Sequence, residues 1–128
     1  MSLTAASTAH ARPDPGVVLT RAVLRAADIL GLSQKDTAHV LGVSAASLSR
    51  MASGARSLTP SSKEGELGLL LVRVFRGADA LLGGKEAAVR SWFHAPNVHL
   101  GAVPASRIRA IEGLVHVAEY LDAMRGKL

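Results

Sequence analysis

LSQKDTAHVLGVSAASLSRMASG, residues 32–54, reads as two short helices joined by a tight turn at Gly42. Ser33 and Ser44 stand where helix N-caps belong, and Asp36 follows Ser33 as a weaker form of the capping box. Two helices that cross steeply need small or apolar residues at fixed places. Ala38 is the small residue that lets the second helix approach the first. Gly42 supplies a turn in which a Cβ would be costly. Val43 plugs the crossing, and Leu48 and Met51 turn inward from the second helix. Thr37 stands where such a motif usually carries an apolar residue. The pattern is that of a helix-turn-helix. A helical pair that only packs would not need small, glycine and apolar residues at these offsets.

The outward side of the second helix carries the chemistry. Ser44 caps it, so its first N–H groups can also face a phosphate. Ala45, Ala46, Ser47, Ser49 and Arg50 are expected on or near the exposed side, and their small size allows close approach to a major groove. Arg50 can hold a phosphate or a guanine edge. Gln34 and Lys35 open the preceding helix, where they would lie against the DNA backbone. Arg56, just beyond the second helix, is a further candidate for phosphate. The adenine readers Asn and Gln are missing from this face, so sequence preference would rest on Ser, Arg50 and DNA shape.

The rest of the chain is also helical in period. Val23, Ala26, Ala27 and Leu30 form an apolar stripe from Val17 onward, ended by Gly31. Residues 1–16 read as a flexible arm, with Pro13 and Pro15 denying it a helix. The Ser-, Gly- and Pro-rich run at 53–65 connects two parts. A long stripe follows: Leu67, Leu70, Leu71, Val74, Ala78, Leu81 and Leu82, stopped by Gly83 and Gly84. Lys85 to Phe93 forms another helix, and Pro96-Asn97 a turn. Pro104 fits the first position of a helix running through Ile108 and Ile111. Gly113 is expected to divide it from a last helix bearing Val117, Tyr120, Leu121 and Met124. No segment alternates with period two for long, so the fold class is all-α, with about seven helices. The organisation expected is an arm at 1–16, a helix-turn-helix region at 17–62 and a C-terminal helical domain at 63–128. Trp92, the one Trp, is expected in the core.

Composition narrows the function further. The 128 residues carry a net charge of +5, with 48% hydrophobic and 20% charged residues. That balance argues against general disorder and for an anionic partner. Cys is absent, which removes disulfides, thiol nucleophiles and Cys-based metal sites. No apolar run approaches the ~20 residues of a membrane span. A soluble cytoplasmic protein is expected. His94, His99 and His116 lack an HExxH frame and a partner carboxylate at ligand spacing, so no metal is expected. GADALLGGKE, residues 77–86, has the wrong glycine spacing for a phosphate loop. No cofactor and no catalytic set is expected.

The C-terminal half bears an ordered series: Trp92-Phe93, Pro96-Asn97, Leu100-Gly101, Pro104, then Ile111 to Gly113 and Val117 to Gly126. With the helix-turn-helix before it, this series resembles the Xre/MbcA/ParS antitoxin family over most of the chain, roughly from Val17 onward. Val103 stands where the family often has a capping Thr, and Ala102 where a second Gly is common. The resemblance implies an antitoxin of a type II toxin–antitoxin module. Its helix-turn-helix would bind the module's own promoter as an autorepressor. Its C-terminal domain would grip a RES-domain toxin, which destroys NAD, and the chain end would block the toxin's active site. On this chain that points at Tyr120, Arg125, Lys127 and Leu128. A free C-terminal carboxylate beside Arg125 and Lys127 could mimic or pair with groups that handle a nucleotide phosphate. A homodimer is expected, because two half-sites need two reading helices; its contact should lie along residues 63–83 or the C-terminal helices. The rivals are a plain helix-turn-helix regulator whose C-terminal domain only dimerises, and an enzyme or metal protein.

Overall fold

The computed structural model describes residues 12–126, which form seven α-helices. They are α1 (Pro15–Leu30), α2 (Gln34–Leu41), α3 (Ala45–Ser53), α4 (Lys63–Leu81), α5 (Glu86–His94), α6 (Pro104–Arg107) and α7 (Ile111–Arg125). The all-α expectation holds. Residues 1–11, most of the expected arm, lie outside the described residues.

The first helix begins at Pro15, inside the stretch expected to be an arm, so Pro15 starts a helix where it was expected to deny one. Proline is at home there, because the N–H it lacks would find no partner in the first turn. The Asp14 side chain accepts from Gly16 N at 2.9 Å and starts the helix. Gly31 ends it at φ 76°, in the left-handed region. Ser33, Ser44 and Ser62 each cap a helix through Oγ, accepting from the N–H three residues on. Such caps contribute about 1 kcal/mol apiece.

The long helix α4 is the spine. It packs against α1, α2, α5 and α7. Leu71, Val74 and Ala78 are fully buried along it, while Leu67, Leu70, Leu81 and Leu82 are partly buried against the same core. Its glycines set how near the neighbours come. A Cβ at Gly68 would sit 3.0 Å from Val23 Cγ2 of α1, and one at Gly77 would sit 2.9 Å from Leu121 Cβ of α7. With α4 enclosed on these sides, the large apolar side chain it leaves exposed is Leu69, at 51%, near Val18 of α1 at 50%.

The 53–65 connection is strapped to α1. Buried Thr20 donates to Gly16 O at 2.7 Å and accepts from Leu58 N at 2.8 Å. Leu58 itself is buried. The C-terminal half is tied to the other end of α1. Arg90 of α5 donates to the carbonyls of Asp28 (2.7 Å) and Ile29 (3.3 Å), and His94 Nε2 donates to that of Leu30 (2.8 Å). Last-turn carbonyls lack an i+4 partner within the helix, and that of Asp28 also accepts from the capping Gly31 N–H at 3.0 Å.

Two further expectations fail. Phe93, not Trp92, takes the core position: Phe93 is fully buried and Trp92 only partly. Adjacent residues on a helix point about 100° apart, so only one of the two can face inward. Gly113 does not divide two helices. It lies buried in the first turn of α7, and the break falls at 108–110, after the four-residue α6. A Cβ at Gly113 would lie 1.9 Å from the carbonyl oxygen of Arg107. The glycine is there for close approach, and its φ is not positive.

That distinction has a sign that can be measured. In an exposed helix, Gly→Ala stabilises by about 1 kcal/mol. Gly113→Ala should instead destabilise by about 2 kcal/mol or more, because backbone must move. The urea midpoint, at unchanged m, reads it out.

Candidate nucleic-acid interface

α2 and α3 meet at Gly42, whose φ of 70° and N–H bonds to Ala38 and His39 carbonyls turn the chain sharply. Ala38, Leu41, Leu48 and Met51 are buried at the crossing, and Val43 is partly so. Thr37 is buried, yet its hydroxyl donates to Ser33 O at 2.8 Å. The hydroxyl is thus satisfied within its own helix, and its methyl group serves as the apolar surface the motif requires.

α3 presents Ala45, Ala46, Ser49 and Arg50 to solvent. Ser47, expected on or near that face, is turned in. It is 8% exposed, and its N–H donates to the capping Ser44 Oγ at 3.0 Å. Its own hydroxyl takes a hydrogen bond from Arg50 Nη2 at 3.2 Å and lies 3.1 Å from Ser44 Oγ. Position 47 lies one turn before the inward-facing Met51, which is why it turns toward the core. Ser44, Ser47 and Arg50 form one chain of polar contacts along α3. It restrains the guanidinium while leaving Arg50 exposed. Restraint before binding lowers the entropy a side chain loses on contact.

Gln34 and Lys35 are exposed on the first turn of α2. Arg56 is half buried. It lines a hollow at the C-terminal end of α3, together with Arg21 from α1. Arg21 was not legible as part of the site, because only the fold brings α1 to that end of the helix. The expected set therefore gathers around α3, with Ser47 acting from beneath.

The other predicted residues sit elsewhere. Tyr120 is half buried on α7, its ring stacked on that of His99 at 6.2 Å and 24°. Arg125 is exposed at the end of α7 and lies 3.9 Å from Asp122, which also pairs with Arg73. Lys127 and Leu128 lie outside the described residues. The loop before α6 is held by a backbone bridge between Asn97 and Ala102 and by Asn97 Oδ1 accepting from Leu100 N at 3.1 Å. It carries Val98 93% exposed. Val103, in place of a capping Thr, makes no side-chain cap bond to α6. The histidines have separate tasks: His94 caps α1, His99 stacks, and His116 accepts from Arg107 Nη2 at 3.2 Å. Among the described residues no three His, Asp or Glu side chains gather as a metal site, and no helix is long and apolar enough to cross a membrane.

Comparison with known families adds two findings. Residues 9–73 match the antitoxin Xre-like helix-turn-helix domain. Residues 77–127 match the antitoxin Xre/MbcA/ParS C-terminal toxin-binding domain. No curated protein matches the chain.

Serines 44 and 49 separate cap from reading face. Ser44→Ala should cost about 1 kcal/mol of stability. Ser49→Ala, on the exposed face, should stay within about 0.5 kcal/mol. Paired thermal or urea unfolding curves distinguish the two, and equal losses would contradict these placements.

Proposed function

The chain belongs to the Xre-like helix-turn-helix antitoxin family, and from that membership we propose that it represses its own promoter and neutralises a RES-type, NAD-degrading toxin by covering its active site. The observation that carries the DNA half is α3 itself. Its outer face is small and exposed at Ala45, Ala46 and Ser49, and Arg50 is restrained beside it. A helix with that profile fits a major groove, with Arg50 on a guanine edge or a phosphate. Gln34, Lys35 and Ser44 would meet the backbone at its N-terminal end, and Arg56 at its C-terminal end. Phosphate contacts of this kind set orientation, and the few base contacts set preference.

The toxin half rests on the C-terminal domain. Tyr120 and the end of α7, with Arg125 and the residues that follow, are the surface assigned to the toxin. Neutralisation is by occupancy, so the chain itself acts without catalysis. The protein works as a homodimer, because each half-site takes one reading helix. A second copy would cover Leu69 and Val18, the exposed apolar pair beside α4. A cytoplasmic location follows from a promoter and a NAD-consuming partner.

Two variants test the division of labour. Arg50→Ala should weaken binding to the DNA upstream of the coding region by about tenfold or more, as loss of an arginine–base contact does. It should leave toxin neutralisation intact. Deleting residues 125–128 should do the reverse: cellular NAD falls when the neighbouring reading frame is co-expressed, while DNA binding persists. Loss of both functions in either variant would defeat the proposal. Persistence of NAD with the truncated chain would defeat occlusion by residues 125–128.

A further inference from the structure

Cations flank α3 unevenly. At its C-terminal end Arg21 and Arg56 line one hollow. At its N-terminal end the helix-turn-helix supplies Lys35 and, against it, the carboxylate of Asp36. A second cation enters that side from the other half of the chain. Arg109 lies in the junction between α6 and α7, well inside the segment that matches the toxin-binding domain. Its Nη1 donates to Asp36 Oδ1 at 2.6 Å. Its carbonyl accepts from His39 Nε2 at 3.1 Å, which pins the junction to α2. The hollow they share is about 250 Å³ and extends to Val43 and Ala45, the first residue of α3.

We propose that Arg109 is a DNA-phosphate contact, supplied by the toxin-binding half, which completes the N-terminal flank of the reading helix. The proposal rests on α3 docking in the major groove. Asp36 alone would repel a backbone phosphate at this place. Arg109 neutralises it, and with Lys35 leaves the hollow net positive. A guanidinium has five N–H donors, and the contact with Asp36 engages one nitrogen. Arg109 lines a hollow that reaches Ala45 at the N-terminus of α3, where backbone N–H groups also attract an anion. The Arg109 side chain is 50% exposed and that of Asp36 39%. A pair so open to water adds little to stability, but its guanidinium is free to add a charge-assisted bond to phosphate. DNA binding by this chain thus draws on both of its family domains.

The test is the salt dependence of binding to a short duplex taken from upstream of the coding region, between about 50 and 200 mM salt. Wild type is compared with Arg109→Ala, Arg109→Lys, Asp36→Asn and Arg50→Ala, each verified as folded by circular dichroism. Arg109→Ala should weaken binding several-fold and reduce the salt slope by about one. Arg109→Lys should keep the slope. Asp36→Asn should tighten binding, since it removes a repelling charge and releases the guanidinium. An unchanged slope in Arg109→Ala would overturn the proposal. So would a loss in Asp36→Asn equal to that in Arg109→Ala, because the pair would then serve only to hold α2. Arg50→Ala separates the two levels. If it abolishes binding while Arg109→Ala changes nothing, docking stands and Arg109 falls. If it changes nothing, docking falls and Arg109 with it.

Discussion

Close approach to one helix governs this molecule. α4 can touch both α1 and α7 because Gly68 and Gly77 carry no side chain where those helices cross it. Each crossing buries large neighbours: Val23 on one side, Leu121 on the other. Fully burying a side chain of this size is worth about 1.5–3 kcal/mol. Glycines in a helix cost about 1 kcal/mol each in backbone entropy. The contacts they permit therefore outweigh the propensity they forgo. The two family matches end and begin within this helix, at residues 73 and 77. The helix-turn-helix and toxin-binding domains are consequently joined by a continuous helix, with no hinge of loop residues between them.

A second tie runs through the end of α1. Arg90 and His94 donate to the carbonyls at residues 28–30, in the last turn of α1. The chain turns at Gly31 and enters the helix-turn-helix two residues later at Ser33. Residues from the toxin-binding half thus fix the last turn of the helix that launches α2. With the Arg109 contacts to Asp36 and His39, two separate points of the C-terminal half grip the DNA-binding half. Each polar contact is modest, since net hydrogen-bond contributions are about 1 kcal/mol. Their effect lies in orientation more than in stability.

What could be read from the residues follows from the range of each interaction. The caps at Ser33 and Ser44 and the turn at Gly42 are local, and all appeared where their spacing placed them. The stripe from Leu67 to Leu82 carried the helical period and marked the spine. Gly113 misled because a glycine signals a break only when its φ, and not its missing Cβ, is what the fold uses. Trp92 misled because composition says which residues are large, not which of two neighbours faces inward. Ser47 misled because polarity suggested solvent, whereas its hydroxyl is satisfied along its own helix by Ser44 and Arg50. Arg21 and Arg109 gave no local signal at all. They join the surroundings of α3 only through tertiary packing.

A net charge of +5 is a poor guide by itself. Many of the cations are already engaged. Arg73 and Arg125 share Asp122, Arg25 faces Glu86, Lys63 faces Glu66, and Arg90 is turned onto backbone carbonyls. The one-to-one pairs Arg25–Glu86 and Lys63–Glu66 project little field, since opposite charges within 4 Å largely cancel beyond a Debye length of about 8–10 Å, and Asp122 offsets one of the two guanidiniums beside it. The cations gathered around α3 behave differently. Lys35, Arg21, Arg50 and Arg56 make no ion pair among the described residues, and Arg109 has the only acidic partner in that group. Positive charge without an acidic partner thus stands around a helix whose exposed side chains at Ala45, Ala46 and Ser49 are small. A phosphate backbone responds to that local concentration, because counterions are displaced contact by contact and not by the protein's total charge.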